Sequence, residues 1–422
     1  MAITAPRGTQ DFLPEQTAEW QMLEAKIRRI CALYEFGEIR TPLFENTELF
    51  LRGIGETTDV VTKEMYTFVD RGGRSMTLRP ENTASVVRSF LEHKLYGEQK
   101  VHKFYYMGPM FRHDRPQAGR YRQFNQFGVE AIGSKDPAVD AEIISLAFQL
   151  FRELGLNDLV LHLNSVGCPS CRPIYRQKLL DFFADKKESL CDDCRERLEK
   201  NPLRVLDCKA DGEKMMNMGV PLITEHLCES CQSHFQQVQQ YLQAVGIPFV
   251  KDPRLVRGLD YYTNTAFEIM YAPLGAQSTV CGGGRYDGLI AEVGGPSTPG
   301  IGFAVGMERL LLTLKEQGLL TVPVGVPPIF IVALGEAARA KAFVLQQALR
   351  ARQIAAEIDL MGRSMKGQMK AANKAGAGYT VIIGEEELAR QEVQVRNMMT
   401  KEQIAVPMNE LVTYMESNRR DD

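Results

Sequence analysis

The stretch at residues 104–132, FYYMGPMFRHDRPQAGRYRQFNQFGVEAI, constrains this chain most, because it predicts two strands joined by a long basic loop. Phe104, Tyr106 and Met107 lead into Phe111 and Arg112; Phe124, Phe127, Val129 and Ala131 lead out. Glu130 points to the face opposite its neighbours, since side chains alternate along a strand. The loop carries Arg112, Arg115, Arg120 and Arg122, with Pro116 and Gly119 as turn residues. Four guanidinium groups on one hairpin repel each other unless anions or acids sit among them. Two readings are open. One is a solvated loop resting on its aliphatic stems. The other is a polyphosphate or nucleic-acid clamp, because the guanidinium fork matches phosphate oxygens two at a time.

Length and composition narrow the classes. A chain of 422 residues exceeds one ordinary core and predicts two or three domains. Apolar residues at 44% and charged residues at 24% suit a soluble globular protein. The net charge of −3 supplies no global positive field, so any RNA must be met by local basic patches. No apolar run reaches about 18 residues, so no membrane span is expected. MAITAPRGTQDFLP lacks a charged-then-apolar export pattern, so a cytoplasmic location is expected.

Local punctuation gives the remaining elements. A helix is predicted over 14–37, with Trp20, Leu23, Ile27, Ile30 and Tyr34 on one stripe and Gly37 at C′. A short strand over 38–41 stops at Pro42. Strands over 66–69 and 76–79 form a hairpin, and Thr83 caps a helix over 84–95. Asp136, Pro137 and Gly155 mark both ends of another helix, and a strand over 159–163 follows. Seven cysteines then crowd together: Cys168-x2-Cys171, Cys191-x2-Cys194, Cys208 and Cys228-x2-Cys231, with His226 nearby. In a cytosolic protein such clustering points to metal or free thiols. Cys168, Cys171, Cys191 and Cys194 fit the spacing of zinc-ribbon ligands. Reduced surface cysteines on a helical insert are the alternative, and the ligand set stays open.

Further on, LVRGLDYY (255–262) leads into a strand over 265–270, and the run CGGGRYDG (281–288) lets backbone approach a ligand closely. Neither that run nor Gly300-x-Gly302-x3-Gly306 meets the dinucleotide spacing, and no phosphate-loop motif is present. Arg309 opens a helix, where a cation opposes the macrodipole unless a polyphosphate sits there. Residues 322–328, VPVGVPP, read as a linker. Strands over 329–334, 355–360 and 379–383 then alternate with helices over 337–350 and 364–376, an α/β pattern. Lys366, Lys370 and Lys374 share one helix face.

These motifs carry a resemblance. FRHDRPQAGRYRQF with Gln126 and Glu130 resembles motif 2 of the class II aminoacyl-tRNA synthetases, in the form seen in the histidyl-tRNA synthetase family. The helix and strand ending at Pro42 resemble motif 1, and GFAVGMER (302–309) resembles motif 3. LVRGLDYY and GGGRYDGL are similar to the family's two histidine-specific motifs, and Asn82 departs from its usual Pro-Glu-Gly-Thr. The resemblance implies an α+β fold: an antiparallel sheet core over 1–325 with a helical insertion at about 166–235, then an α/β anticodon-binding domain over 326–422. It implies activation of L-histidine by ATP with Mg2+, transfer to tRNA(His), and a homodimer formed through motif 1.

Residue roles come from the same source. Arg112 would hold the α-phosphate and substrate carboxylate, with Arg257 on the phosphate's other side. Arg309 and Phe124 would sandwich adenine, with Arg120 also on ATP. Glu130 and Tyr262 would pair with the imidazole nitrogens, with Tyr261 and Gly284 in the same pocket. Glu81, Thr83 and Gln126 would take the α-ammonium. Any zinc would serve folding, not chemistry. The alternative is a synthetase-like regulatory subunit that binds histidine without catalysis; such proteins typically lose the arginines or the anticodon domain.

Overall fold

The structure, a computed structural model, describes residues 3–55, 58, 60–115, 119–208, 210–271, 279–321 and 327–418. Pro116 and most of the expected linker, residues 322–326, lie outside the described residues. The chain divides into two compact units, 1–322 and 323–422.

An eight-stranded sheet organises the first unit. Its order is Gly37–Glu38, His102–Phe111, Gln123–Ile132, Gly300–Gly306, Thr279–Arg285, Thr263–Tyr271, Leu159–Ser165 and Phe249–Lys251. The six central strands run antiparallel, and a short parallel strand closes each edge. Alternation divides the two faces. Phe127, Val129, Ala131, Ile301, Phe303 and Val305 join a core with helices Pro14–Leu33, Pro137–Glu153, Glu229–Ala244 and Met307–Glu316. Tyr106, Met110, Ile132, Tyr261, Tyr262 and Tyr286 pack on the other face with helix Thr83–Glu92. That second face carries the candidate site.

The first helix ends earlier than its sequence suggests. Glu35, not Gly37, takes the left-handed conformation, with φ of 61°. Its amide bonds to the Ala32 carbonyl, and the Phe36 amide reaches back to Cys31 at 2.9 Å. This closure tucks Phe36 into the core, which decides the turn against Gly37. Gly37 is thereby released to pair with Phe104 at the sheet edge. The expected strand over 38–41 shrinks to Gly37–Glu38. Phe44–Asn46 instead joins Ser75–Leu78 and Tyr66–Val69 in a three-stranded sheet. Helix Pro137–Glu153 has the predicted ends: Asp136 accepts from the Ala138 amide, and Gly155 has φ of 90°.

The insertion has its own small core, in which Tyr175, Leu179 and Phe183 meet Val205, Met215 and Ile223. It ends sooner than expected: helix Glu229–Ala244 returns Phe235, Val238 and Leu242 to the main core. The second unit carries a five-stranded sheet. Ala356–Ile358, Ile329–Ala333 and Tyr379–Ile383 are parallel, as βα alternation requires. Glu392–Asn397 and Gln403–Pro407 extend it antiparallel, two strands the sequence reading missed. No helix among the described residues is long and apolar enough to cross a membrane.

Candidate active site

The site is built on absent side chains. Glycines 128, 282, 284, 300 and 302 interrupt three adjacent central strands, and larger groups fill their space. Gly302 lies opposite Glu130 in register, and a Cβ there would collide with the Glu130 carboxylate. Gly282 leaves room for the Arg257 guanidinium, and Gly284 for the Tyr262 ring.

Glu130 is 1% exposed. Thr83 Oγ1 donates to its Oε1 at 2.7 Å, and the Tyr286 hydroxyl donates to its Oε2 at 2.6 Å. Burial pushes its pKa up to about 8; hydrogen bonds from Tyr286, Thr83 and Tyr106 pull it down, and the Glu81 charge pushes it further up. Glu81 performs the capping that was expected of Thr83. Its two oxygens accept from the Thr83 and Ala84 amides at 2.7 and 2.9 Å. Thr83 is already helical, and this frees its hydroxyl for Glu130. The departure at Asn82 needs no glycine, because φ there is −118°. Its Oδ1 instead accepts from Thr41 and Arg79 at 2.7 and 3.0 Å. Gln126 Oε1 is buried with no partner among the described residues, so it offers an acceptor to a cation.

The arginines rim this pocket. Arg112 Nε donates to the Pro80 carbonyl at 2.8 Å, and its guanidinium lies 5.6 Å from the Phe124 ring centre. Burial lowers its pKa, opposed by Glu64 and Glu81. Arg257 pairs with Glu268 and lies 5.7 Å from the Tyr262 ring centre, while its Nε is buried without a partner among the described residues. Burial opposes its charge, but Tyr262 and Glu268 hold the pKa above the usual value. Arg309 occupies the third position of helix Met307–Glu316. Burial and the like charge of Arg120 lower its pKa, against Glu268. Arg120 itself is exposed and pairs with Asp114 at 2.5 Å. Tyr261 lies beside Tyr262 with ring centres 4.7 Å apart and the rings tilted by 46°.

The structure thus brings Glu81, Thr83, Gln126, Glu130, Tyr261, Tyr262 and Gly284 to one face, with Arg112, Phe124, Arg257 and Arg309 beside them. Sequence reasoning missed three partners. Tyr286 holds Glu130, and the GGGRYDGL motif already contained it. Tyr106 was visible as an even-numbered residue on the Glu130 side of its strand. Glu308 accepts from the Asn125 amide and side chain at 2.7 and 2.9 Å, which ties motif 3 to motif 2. Only tertiary structure could show that contact.

The zinc-ribbon grouping needs correcting. Cys168 and Cys171 do not meet Cys191 and Cys194. Cys168 and Cys171 gather with Cys228 and Cys231, while Cys191 and Cys194 gather with Cys208 and Asp211. The chain leaves and returns through one neck, so the outermost pairs meet each other and enclose the inner ones.

Residues 8–310 match the family model described as histidyl-tRNA synthetase, and residues 328–418 match an anticodon binding domain. The histidine–tRNA ligase of Desulforamulus reducens is 54% identical, over 99% of this chain and 100% of its own. That of Halothermothrix orenii is 53% identical, over 99% of both. The crystal structure of the apo S. aureus histidyl-tRNA synthetase superposes with a TM-score of 0.84 at 43% identity, covering 98% of this chain and 99% of that one. With the whole length matched and the site built as described, the chain belongs to the histidyl-tRNA synthetase family.

Proposed function

We propose that the glycine-floored face activates L-histidine with ATP and that the enzyme passes the histidyl group to the 3′-terminal ribose of tRNA(His). In the first step a histidine carboxylate oxygen bonds to the α-phosphorus and the bond to pyrophosphate breaks. A carboxylate is already a nucleophile, so the step needs alignment and charge cancellation rather than a base. Arg112 and Arg257 supply both from two sides of the phosphate, and Arg309 with Phe124 holds the adenine. Magnesium bound with ATP adds further neutralisation along the phosphates. Glu130 and Tyr262 face the imidazole nitrogens, and Glu81, Thr83 and Gln126 face the α-ammonium. A ligand without both ring nitrogens leaves buried polar groups unpaired, which is the basis of rejection.

The observation that carries this reading is the under-paired Arg257 beside a buried, hydroxyl-ringed Glu130. A purely regulatory role would leave three arginines and a whole C-terminal unit without purpose. Lys366, Lys370 and Lys374 on helix Met365–Lys374 would meet tRNA phosphates. A homodimer fits the apolar pair on the three-stranded sheet: Phe44 and Phe68 are 50% and 43% exposed, with ring centres 6.2 Å apart. Zinc in the insertion would serve structure and take no part in the chemistry. The test is ATP–pyrophosphate exchange with each of the twenty amino acids. Exchange with histidine alone is expected. Histidine binding without exchange would overturn the catalytic reading in favour of the regulatory one.

A further inference from the structure

The insertion contains four short knuckles of one form: Cys168-x2-Cys171, Cys191-x2-Cys194, Cys208-x2-Asp211 and Cys228-x2-Cys231. Asp211 stands where a fourth cysteine would complete the set. The sulfurs of Cys168 and Cys171 lie 3.6 Å apart, those of Cys168 and Cys228 3.9 Å, and those of Cys171 and Cys231 3.9 Å. Cys191 and Cys208 are 3.8 Å apart. A tetrahedral zinc with bonds of about 2.3 Å places its sulfurs about 3.8 Å apart. A disulfide needs about 2.0 Å, and all these cysteines are free. Thiolates around an iron–sulfur core must spread wider than this to enclose several metal atoms.

Backbone amides also point at the sulfurs. The Cys228 amide donates to Cys171 Sγ at 3.1 Å. The Ser170 and Cys171 amides address Cys168, and the Ala210 and Asp211 amides address Cys208. Such contacts stabilise thiolate ligands.

We propose that the insertion binds two zinc-class ions in nested sites: Cys168, Cys171, Cys228 and Cys231 at its neck, and Cys191, Cys194, Cys208 and Asp211 within it. The two differ in consequence. The neck site adjoins Arg172, which donates to the backbone carbonyl of Tyr262 and to that of Asp260 at 3.4 Å. Cys231 Sγ also touches the Asn264 side chain at 3.0 Å. Thus the neck ion braces the loop that carries Arg257 and Tyr262. The inner ion closes only the insertion's own fold. Its one oxygen ligand makes it the softer metal's weaker site.

Elemental analysis of the full chain after dialysis against metal-free buffer tests this independently of catalysis. Two zinc ions per chain are expected. The double variant Cys228→Ser with Cys231→Ser should retain one, and Asp211→Ala should retain only the neck ion. Because serine variants can unfold the neck, Asp211→Cys provides a second readout: it should keep both ions and release the inner one to a chelator more slowly than the native chain. Four outcomes overturn the proposal: no metal with all nine thiols titrating, disulfides in place of thiols, iron in place of zinc, or zinc content unmoved by Asp211→Ala.

Discussion

Arg285 and Arg257 meet the same strand, Thr279–Arg285, and are held in opposite ways. Arg285 is fully buried, and each of its nitrogens is satisfied. Nε donates to Asp140 at 3.0 and 2.9 Å, Nη1 to the Ser134 carbonyl at 2.9 Å, and Nη2 to the Asp136 carbonyl at 3.0 Å. Asp140 also meets His234 Nε2 at 3.1 Å. Burial alone would raise its pKa, but His234 and Arg285 hold it low. Arg257 faces one carboxylate across the glycine floor and keeps an unpartnered Nε. A cation with every donor occupied has nothing left for a ligand and serves as a fastener. A half-buried cation with a buried, unpartnered donor is an anion site, since only a ligand completes it.

The contrast can be broken at either end. Arg257→Ala should lower histidine-dependent pyrophosphate exchange about 10³-fold, the scale of a lost transition-state donor, with ATP binding still detectable. Unchanged turnover would make Arg257 a fastener too. Asp140→Ala should leave the buried Arg285 with only the longer pair to Asp287 at 3.4 Å and cost about 3 kcal/mol of stability, read as a lowered melting temperature. A variant that melts normally would remove the distinction.

A subtler test lies in Glu130. Its value of about 8 means that the ligand-free carboxyl holds a proton at pH 7. An imidazole N–H favours the carboxylate and lowers that value, so histidine binding should release a proton and tighten as pH climbs toward 8. Above that range the release should fade. Calorimetry in buffers of differing ionisation enthalpy measures it, and Glu130→Gln should abolish it.

Much of this arrangement was legible in the sequence because its signals are local. Arg112, Arg257 and Arg309 sit within short motifs whose order survives any folding detail. The alternation that put Glu130 apart from Val129 and Ala131 needed only the strand period. What escaped depended on contacts between distant segments. Glu35 turned the first helix because Phe36 had a core to enter. Glu81 became the cap because Thr83 was wanted by Glu130, 47 residues away. Asp211 was passed over as a ligand candidate because it is not a cysteine, although its Cys208-x2-Asp211 spacing repeats the Cys-x2-Cys form. The cysteine partition required knowing that the insertion returns through its own neck.

The glycine floor has a consequence for how such a protein can change. Room for the side chains that line the site, Tyr106, Glu130, Arg257, Tyr262 and Tyr286, comes from five missing side chains beneath them. Every substitution at Gly302 adds at least one carbon, and the first carbon already strikes Glu130. The floor therefore admits no graded drift: no sequence of small steps there leads to a different pocket. Altered selectivity must enter through the tyrosines and carboxylates standing on the floor, while the sheet beneath stays fixed.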